Sequence, residues 1–299
     1  MTSSSRVLVI GIDGVRLDVL RDARVGTPHL DAIAAAGFLA PVWIEEGTPT
    51  WSGPCWATIA TGVSAAKHGV LHNVFPDHNL ATYPDFLTLA SLSGKRTYLS
   101  VGSWEPLATS ACGGPLFGAP DRLTFTSYGK DCERGDEAAT VDAERELVAA
   151  DYDVAFVYLG DVDQTGHDFG VGAEYVAAVE RADARVGRLM AALWSRPGYG
   201  EENWTVIVVT DHGHVDGGGH GGDSAVERTA WIAACGPGIG VGDGVGDEDG
   251  VGVGVEGGVG VEVLTLRHVD VAAHVYEAVG LAGEMAGLGL EGKAFGVVG

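Results

Sequence analysis

Three apolar runs in this 299-residue chain end in acids or imidazoles. Asp13 closes Val-Leu-Val-Ile-Gly-Ile-Asp-Gly at 7–14, and Asp163 closes Val-Ala-Phe-Val-Tyr-Leu-Gly-Asp-Val-Asp at 154–163, with His167 four residues on. Asp211 and His212 close Val-Ile-Val-Val-Thr-Asp-His-Gly at 206–213, and His220 follows, set among glycines. Three carboxylates and three imidazoles gathered without cations would raise one another's cost of ionisation. Shared ligation of divalent cations removes that cost. Oxygen with imidazole suits zinc first, then manganese or iron. Six ligands exceed one tetrahedral ion and suit two. Each piece has a plainer reading: Asp13-Gly14 as a turn, and Asp163 with His167 as a helix cap beside a surface histidine. Asp211-His212 with the glycine-flanked His220 is harder to explain that way, because glycines beside a histidine permit close approach and add nothing to a core.

The segment Thr-Pro-Thr-Trp-Ser-Gly-Pro-Cys-Trp-Ala-Thr-Ile-Ala-Thr-Gly at 48–62 supplies a reactant, Ser52, where a loop gives way to a predicted helix over 53–61. An N-cap serine is the ordinary alternative. A hydroxyl at a helix N-terminus beside a divalent cation can instead ionise near neutral pH, with the helix amides helping to hold an anion. Trp51 and Trp56 flank it. Trp56 reads as core, and Trp51 as core or as a platform for a flat leaving group. Arg16 reads as a surface ion pair.

Strands alternating with helices imply an α/β fold with a mostly parallel central sheet covered by helices on both faces. Strands are predicted at 6–12, 97–101, 153–159, 204–210 and 230–235. Tyr175, Val179, Val186, Met190 and Leu193 fall on one face of a helix over 173–194, with further helices at 137–149 and 269–279. In such sheets ligands sit beyond the carboxyl ends of the strands, where the acids fall. The whole chain, 1–299, reads as one catalytic domain. Residues 103–135 are expected to leave the sheet as a lid or cap, and the Gly/Val-rich 238–262 to form a flexible loop. Inside that loop Asp247, Asp249, Gly250 and Glu256 mimic part of a calcium loop. Val245 at its first position cannot ligate, so calcium is not expected.

Eighteen Lys and Arg against 41 Asp and Glu give a formal charge of −23, which repels a nucleic-acid polymer. The Gly-Ile-Asp-Gly turn lacks the dinucleotide fingerprint. No apolar run approaches the ~20 residues of a membrane span. Four dispersed cysteines and an N-terminus that enters the first strand almost at once lead us to expect no signal peptide and a cytoplasmic protein.

The full set, over residues 6–236 and more weakly in the closing Leu-Glu-Gly-Lys-Ala-Phe-Gly, resembles the alkaline phosphatase superfamily, most closely its nucleotide pyrophosphatase/phosphodiesterase-like branch. The resemblance implies a two-metal phosphoester hydrolase acting on a small-molecule phosphoester through a phosphoseryl intermediate. It implies one metal on Asp13, Ser52, Asp211 and His212, and a second on Asp163, His167 and a later histidine. Glycine-flanked His220 fits that last place better than His214. It also implies that Asn73 donates a hydrogen bond to a phosphoryl oxygen. Two departures bear on substrate. The branch usually carries Thr where this chain has Ser52, which leaves a phosphomonoesterase as the alternative, and the chain is short for the branch. A sulfatase is disfavoured because Trp56 stands where that family's maturation motif needs Arg. A non-catalytic metal scaffold would leave Ser52 and Asn73 without a purpose.

Overall fold

A computed structural model describes residues 4–241, 265–285 and 287–295. The calcium-like decoy and nearly all of the predicted Gly/Val loop lie outside the described residues. Among the described residues, seven strands form one sheet: β1 Ser4–Ile12, β2 Gly37–Trp43, β3 Thr97–Val101, β4 Arg122–Phe125, β5 Val154–Leu159, β6 Glu202–Val209 and β7 Thr229–Cys235, in the order β2-β7-β6-β1-β5-β3-β4. The five strands β6, β1, β5, β3 and β4 run parallel, while β7 pairs antiparallel with both β6 and β2. The fold is therefore the α/β class expected. Two strands were not anticipated. β2 contains Pro41 and little alternation, and it is tolerated because it lies at the sheet edge. β4 falls inside 103–135, so that stretch is not wholly an excursion. Four residues return to the far edge beside β3, too few for a periodic signal.

The helices are α1 Leu17–Leu20, α2 Pro28–Ala36, α3 Ser52–Thr61, α4 Ala65–His68, α5 Phe86–Leu92, α6 Cys132–Ala149, α7 Asp161–Phe169, α8 Ala173–Trp194, α9 Ala225–Arg228, α10 Val269–Ala278 and α11 Ala282–Met285. Alternation along β1 divides the core. Val7 and Val9 face Trp56, Phe156, Ile207 and Val271, whereas Leu8, Ile10 and Ile12 face Tyr175, Val186 and Leu189. All five residues of the predicted α8 face are buried. No helix among the described residues is long and apolar enough to cross a membrane.

β1 and β6 lie side by side with Gly11 opposite Val209, so Asp13 and Asp211 leave the same sheet edge two residues past that pair. β5 flanks β1 on the other side, with Ile12 opposite Leu159, and hands over to α7 within two residues. Adjacent parallel strands thus bring three distant segments to one rim.

Candidate active site

Two groups of side chains meet at this rim: Asp13, Asp211 and His212 in one, and Asp163, His212, His214 and His220 in the other. In the first, His212 Nε2 lies 3.2 Å from Asp211 Oδ2, 3.5 Å from Asp13 Oδ1 and 3.4 Å from Ser52 Oγ. All four residues are buried. Among the described residues, Asp13 Oδ1 and Asp211 Oδ2 have no hydrogen-bond partner, although both are out of reach of solvent. Two orphaned carboxylate oxygens turned toward an imidazole nitrogen are costly unless a cation joins them. The residues present fit one.

The other oxygens are firmly held. Asp13 Oδ2 accepts from Trp56 Nε1 at 2.8 Å and from Tyr158 Oη at 2.6 Å, and Asp211 Oδ1 accepts from the Gly14 amide at 3.1 Å. Burial, reinforced by Asp163, pushes Asp13 up to about 7. Burial and then the Asp13 charge push Asp211 well above the usual carboxylate range. Burial holds His212 well below the usual histidine range. His212 Nδ1 lies 3.1 Å from the Gly213 carbonyl, which can only accept, so the ring proton sits there and Nε2 keeps its lone pair.

In the second group, Asp163 Oδ1 lies 3.3 Å from His220 Nε2, and His167, outside that group, brings its Nε2 to 3.5 Å from Asp163 Oδ1 and 3.1 Å from His220 Nε2. Corners of a tetrahedron around zinc with bonds of about 2.0–2.1 Å are about 3.3 Å apart, so both triangles have the size of a metal site. His220 Nδ1 donates to the Thr50 carbonyl at 2.7 Å, again leaving Nε2 free. Burial works against a charged His220, but the negative charge of Asp163 beside its Nε2 outweighs burial and raises its pKa. Burial would raise Asp163 too, yet His214 and His220 hold it well below the ordinary range. Burial lowers His167, which is the most open of the set.

All six predicted ligands therefore converge, and His214 joins them: its Nε2 stands 2.9 Å from Asp163 Oδ1. Ser52 is the first residue of α3, not its N-cap. Trp51 occupies that position, with no side-chain cap. The Ser52 hydroxyl is thus turned toward His212 instead of satisfying the helix end. One expectation needs correcting. The α3 amides offer less of an anion cradle than expected, because Pro54 has no N–H and Gly53 N donates to Asn73 Oδ1 at 2.7 Å. Asn73 takes up that amide through its Oδ1.

Several supports were missed. Trp56 is core, as expected, but also donates to Asp13. Gly11 permits this, since a Cβ there would lie 2.5 Å from the Trp56 ring. Tyr158 was hidden in an apolar strand run. Thr50 ties the His220 loop down by donating to the Gly222 carbonyl at 2.8 Å and accepting from the Gly221 amide at 3.0 Å. Half-buried Trp51 packs its ring 4.8 Å from His72 and 5.3 Å from His220. Arg16 pairs with Asp18 at 2.6 Å and Asp216 at 2.5 Å, but it is buried and not the surface ion pair expected.

The chain belongs to the type I phosphodiesterase / nucleotide pyrophosphatase family, which it matches over residues 7–111 and 118–244. Among its relatives, ectonucleotide pyrophosphatase/phosphodiesterase family member 7 of Homo sapiens is 26% identical over 229 residues, covering 71% of this chain and 48% of that protein. The chain thus spans about half the length of the curated relatives it matches. Two solved structures share the fold. Murine ectonucleotide pyrophosphatase/phosphodiesterase 5 has TM-score 0.53 and 22% identity over 70% of this chain and 57% of the other. A 2-O GAG sulfatase has TM-score 0.68 and 13% identity over 98% of this chain and 73% of the other.

Proposed function

We propose that this chain is one catalytic domain that hydrolyses small phosphodiester or pyrophosphate substrates, with Ser52 as nucleophile and two divalent cations, zinc first among them. The observation that carries this reading is Ser52 Oγ standing 3.4 Å from His212 Nε2 as a further corner of the Asp13–Asp211–His212 group. Asp13, Asp211, His212 and Ser52 would hold one cation, and Asp163, His167 and His220 the other. Bound there, the cations would lower the pKa of the serine hydroxyl and offset charge developing on the phosphoryl oxygens.

The chain's own groups do the rest. The Ser52 hydroxyl loses its proton to solvent, its oxygen forms a bond to phosphorus, and the bond to the leaving oxygen breaks. That leaving oxygen takes up a proton from water. With its Oδ1 held by Gly53, Asn73 turns its NH2 to a non-bridging oxygen and fixes the phosphoryl group for in-line attack. Water then splits the phosphoseryl ester, releasing a phosphomonoester and restoring Ser52.

The human relative's name and a structure of the murine protein with AMP support a nucleotide-type phosphodiester as the first substrate to try. The strong acidic balance speaks against nucleic-acid polymers. Four free cysteines suit a reducing, cytoplasmic compartment. Brief reaction with a ³²P-labelled diester and an acid quench should leave label on Ser52, whereas label found only on released phosphomonoester would sink the covalent step. A panel of p-nitrophenyl phosphate, bis-p-nitrophenyl phosphate, a p-nitrophenyl nucleotide and p-nitrophenyl sulfate should give the fastest rate on a diester. A dominant monoester or sulfate rate would move the chain to another chemistry.

A further inference from the structure

His214 has no part in the reading above, yet it is fully buried and touches Asp163. Its two ring nitrogens have different partners. The Gly219 amide donates to Nδ1 at 3.1 Å, so Nδ1 must be the acceptor. The ring proton then sits on Nε2, 2.9 Å from Asp163 Oδ1. His212 and His220 have the opposite arrangement, each giving its Nδ1 proton to a carbonyl and leaving Nε2 bare. A cation can be bound by a bare imidazole nitrogen but not by one that carries a proton.

We infer that His214 is a positioning residue and not a metal ligand: it donates from Nε2 to Asp163 Oδ1 and aims that carboxylate at His167 and His220. The packing is built for this ring. A Cβ on Gly14 would come 2.7 Å from its Nε2, and one on Gly166 would come 2.8 Å from its Cε1. Gly219, whose amide fixes the tautomer, has φ +92, a conformation that favours glycine. Arg16, bound to Asp18 and Asp216, also reaches the His214 carbonyl and pins the start of the loop. The ring therefore cannot turn to offer Nε2 to anything except Asp163 without breaking the Gly219 bond.

This inference rests on the two-cation reading, and its test separates the two. Long-range ¹H–¹⁵N correlation on the metal-free full chain at mildly alkaline pH, where the rings are neutral, assigned by single substitutions, should show the proton of His214 on Nε2 and those of His212 and His220 on Nδ1. A His214 proton on Nδ1 overturns the proposal whatever the metal data say. Zinc titration by calorimetry supplies the second arm. His214→Ala should weaken the Asp163–His167–His220 site about 10–100-fold, the usual effect of losing a group that orients a ligand, and spare the other site. His214→Gln keeps a donor and should recover most of that loss. If Gln is as poor as Ala while the wild type binds two ions, His214 is a ligand and the proposal fails alone. If the wild type binds no zinc, the underlying reading fails and takes the proposal with it.

Discussion

The two candidate cation groups share His212 at their boundary but are built from different materials. Asp13, Asp211 and His212 extend from adjacent central strands, are fully buried and leave two carboxylate oxygens orphaned. Asp163 and His167 ride on a nine-residue helix and His220 sits in a glycine-rich loop; of the three, His167 is exposed, Asp163 is partly covered and the His220 side chain is buried. Their electrostatics differ in the same sense. Burial raises Asp13 and Asp211, while neighbouring histidines lower Asp163. The strand-end group is therefore stressed without a cation, and the helix-borne group is satisfied by its own imidazoles. Under the proposed two-cation reading, the first group would retain its ion and the second would exchange it.

The harshest way to break this contrast is Asp13→Asn. Turnover should fall by roughly 10³-fold or more, since the nucleophile loses its activating charge. The metal-free protein at pH 8 should nonetheless melt higher than wild type, because the substitution removes a carboxylate whose charged form burial disfavours. Each kcal/mol recovered is worth about 2–4 °C in a chain of this size. Scanning calorimetry with and without zinc measures both signs, and a metal-free variant that melts lower would refute the idea of stored repulsion.

Chelation tests the same contrast without mutation. EDTA should strip the helix-borne site within minutes at little cost in Tm, whereas loss of the strand-end ion should cost about 4 kcal/mol if it is held a thousandfold below the free metal concentration. Metal analysis along a dialysis series, read beside Tm, would show two steps. A single step removing both ions together would mean that the two groups are one site.

Much of this was legible before any coordinates. Parallel strands were readable because an apolar run buried on both faces has a strong signature, and acids at such run ends mark the rim. The two orphaned oxygens, the first-turn position of Ser52 and the tautomers were not legible, since they depend on a few tenths of an ångström between segments up to about 200 residues apart. Tyr158 and Trp56 show why. Each satisfies the pattern of a core residue, and only the geometry reveals that the one polar atom on each ring is directed at Asp13. β2 and β4 were missed because edge strands need little alternation and few residues.

Acid should act on the strand-end side through His268, which is buried with Nε2 3.0 Å from the Thr210 carbonyl, one residue before Asp211. Burial pulls it down to about 4 from an ordinary 6.5. The unfolded chain therefore takes up a proton in that window and the folded chain does not. The stability contributed is complete above pH 6.5 and is lost as pH falls toward 4, by about 3 kcal/mol at 1.36 kcal/mol per pH unit. His268→Gln, which can still donate to Thr210, should flatten the Tm-against-pH curve between 6.5 and 4. An unchanged slope would place the acid sensitivity elsewhere, with His68 the next residue to replace, since burial also holds it at about 4.

The finest test is Trp56→Phe. It removes one of the two donors to Asp13 Oδ2 and keeps the aromatic packing against Phe156, while Tyr158 still holds the same oxygen. Zinc affinity at the strand-end site should drop about tenfold, as for loss of one orienting hydrogen bond. The helix-borne site should be untouched, since the Trp56 indole N–H donates to Asp13. Calorimetric titration of the variant resolves the two affinities. If both fall equally, the groups are coupled through the Asp13 carboxylate and the division into a permanent and an exchangeable site is wrong. If neither falls, Tyr158 alone suffices to aim Asp13, and Trp56 Nε1 serves only to satisfy its own burial.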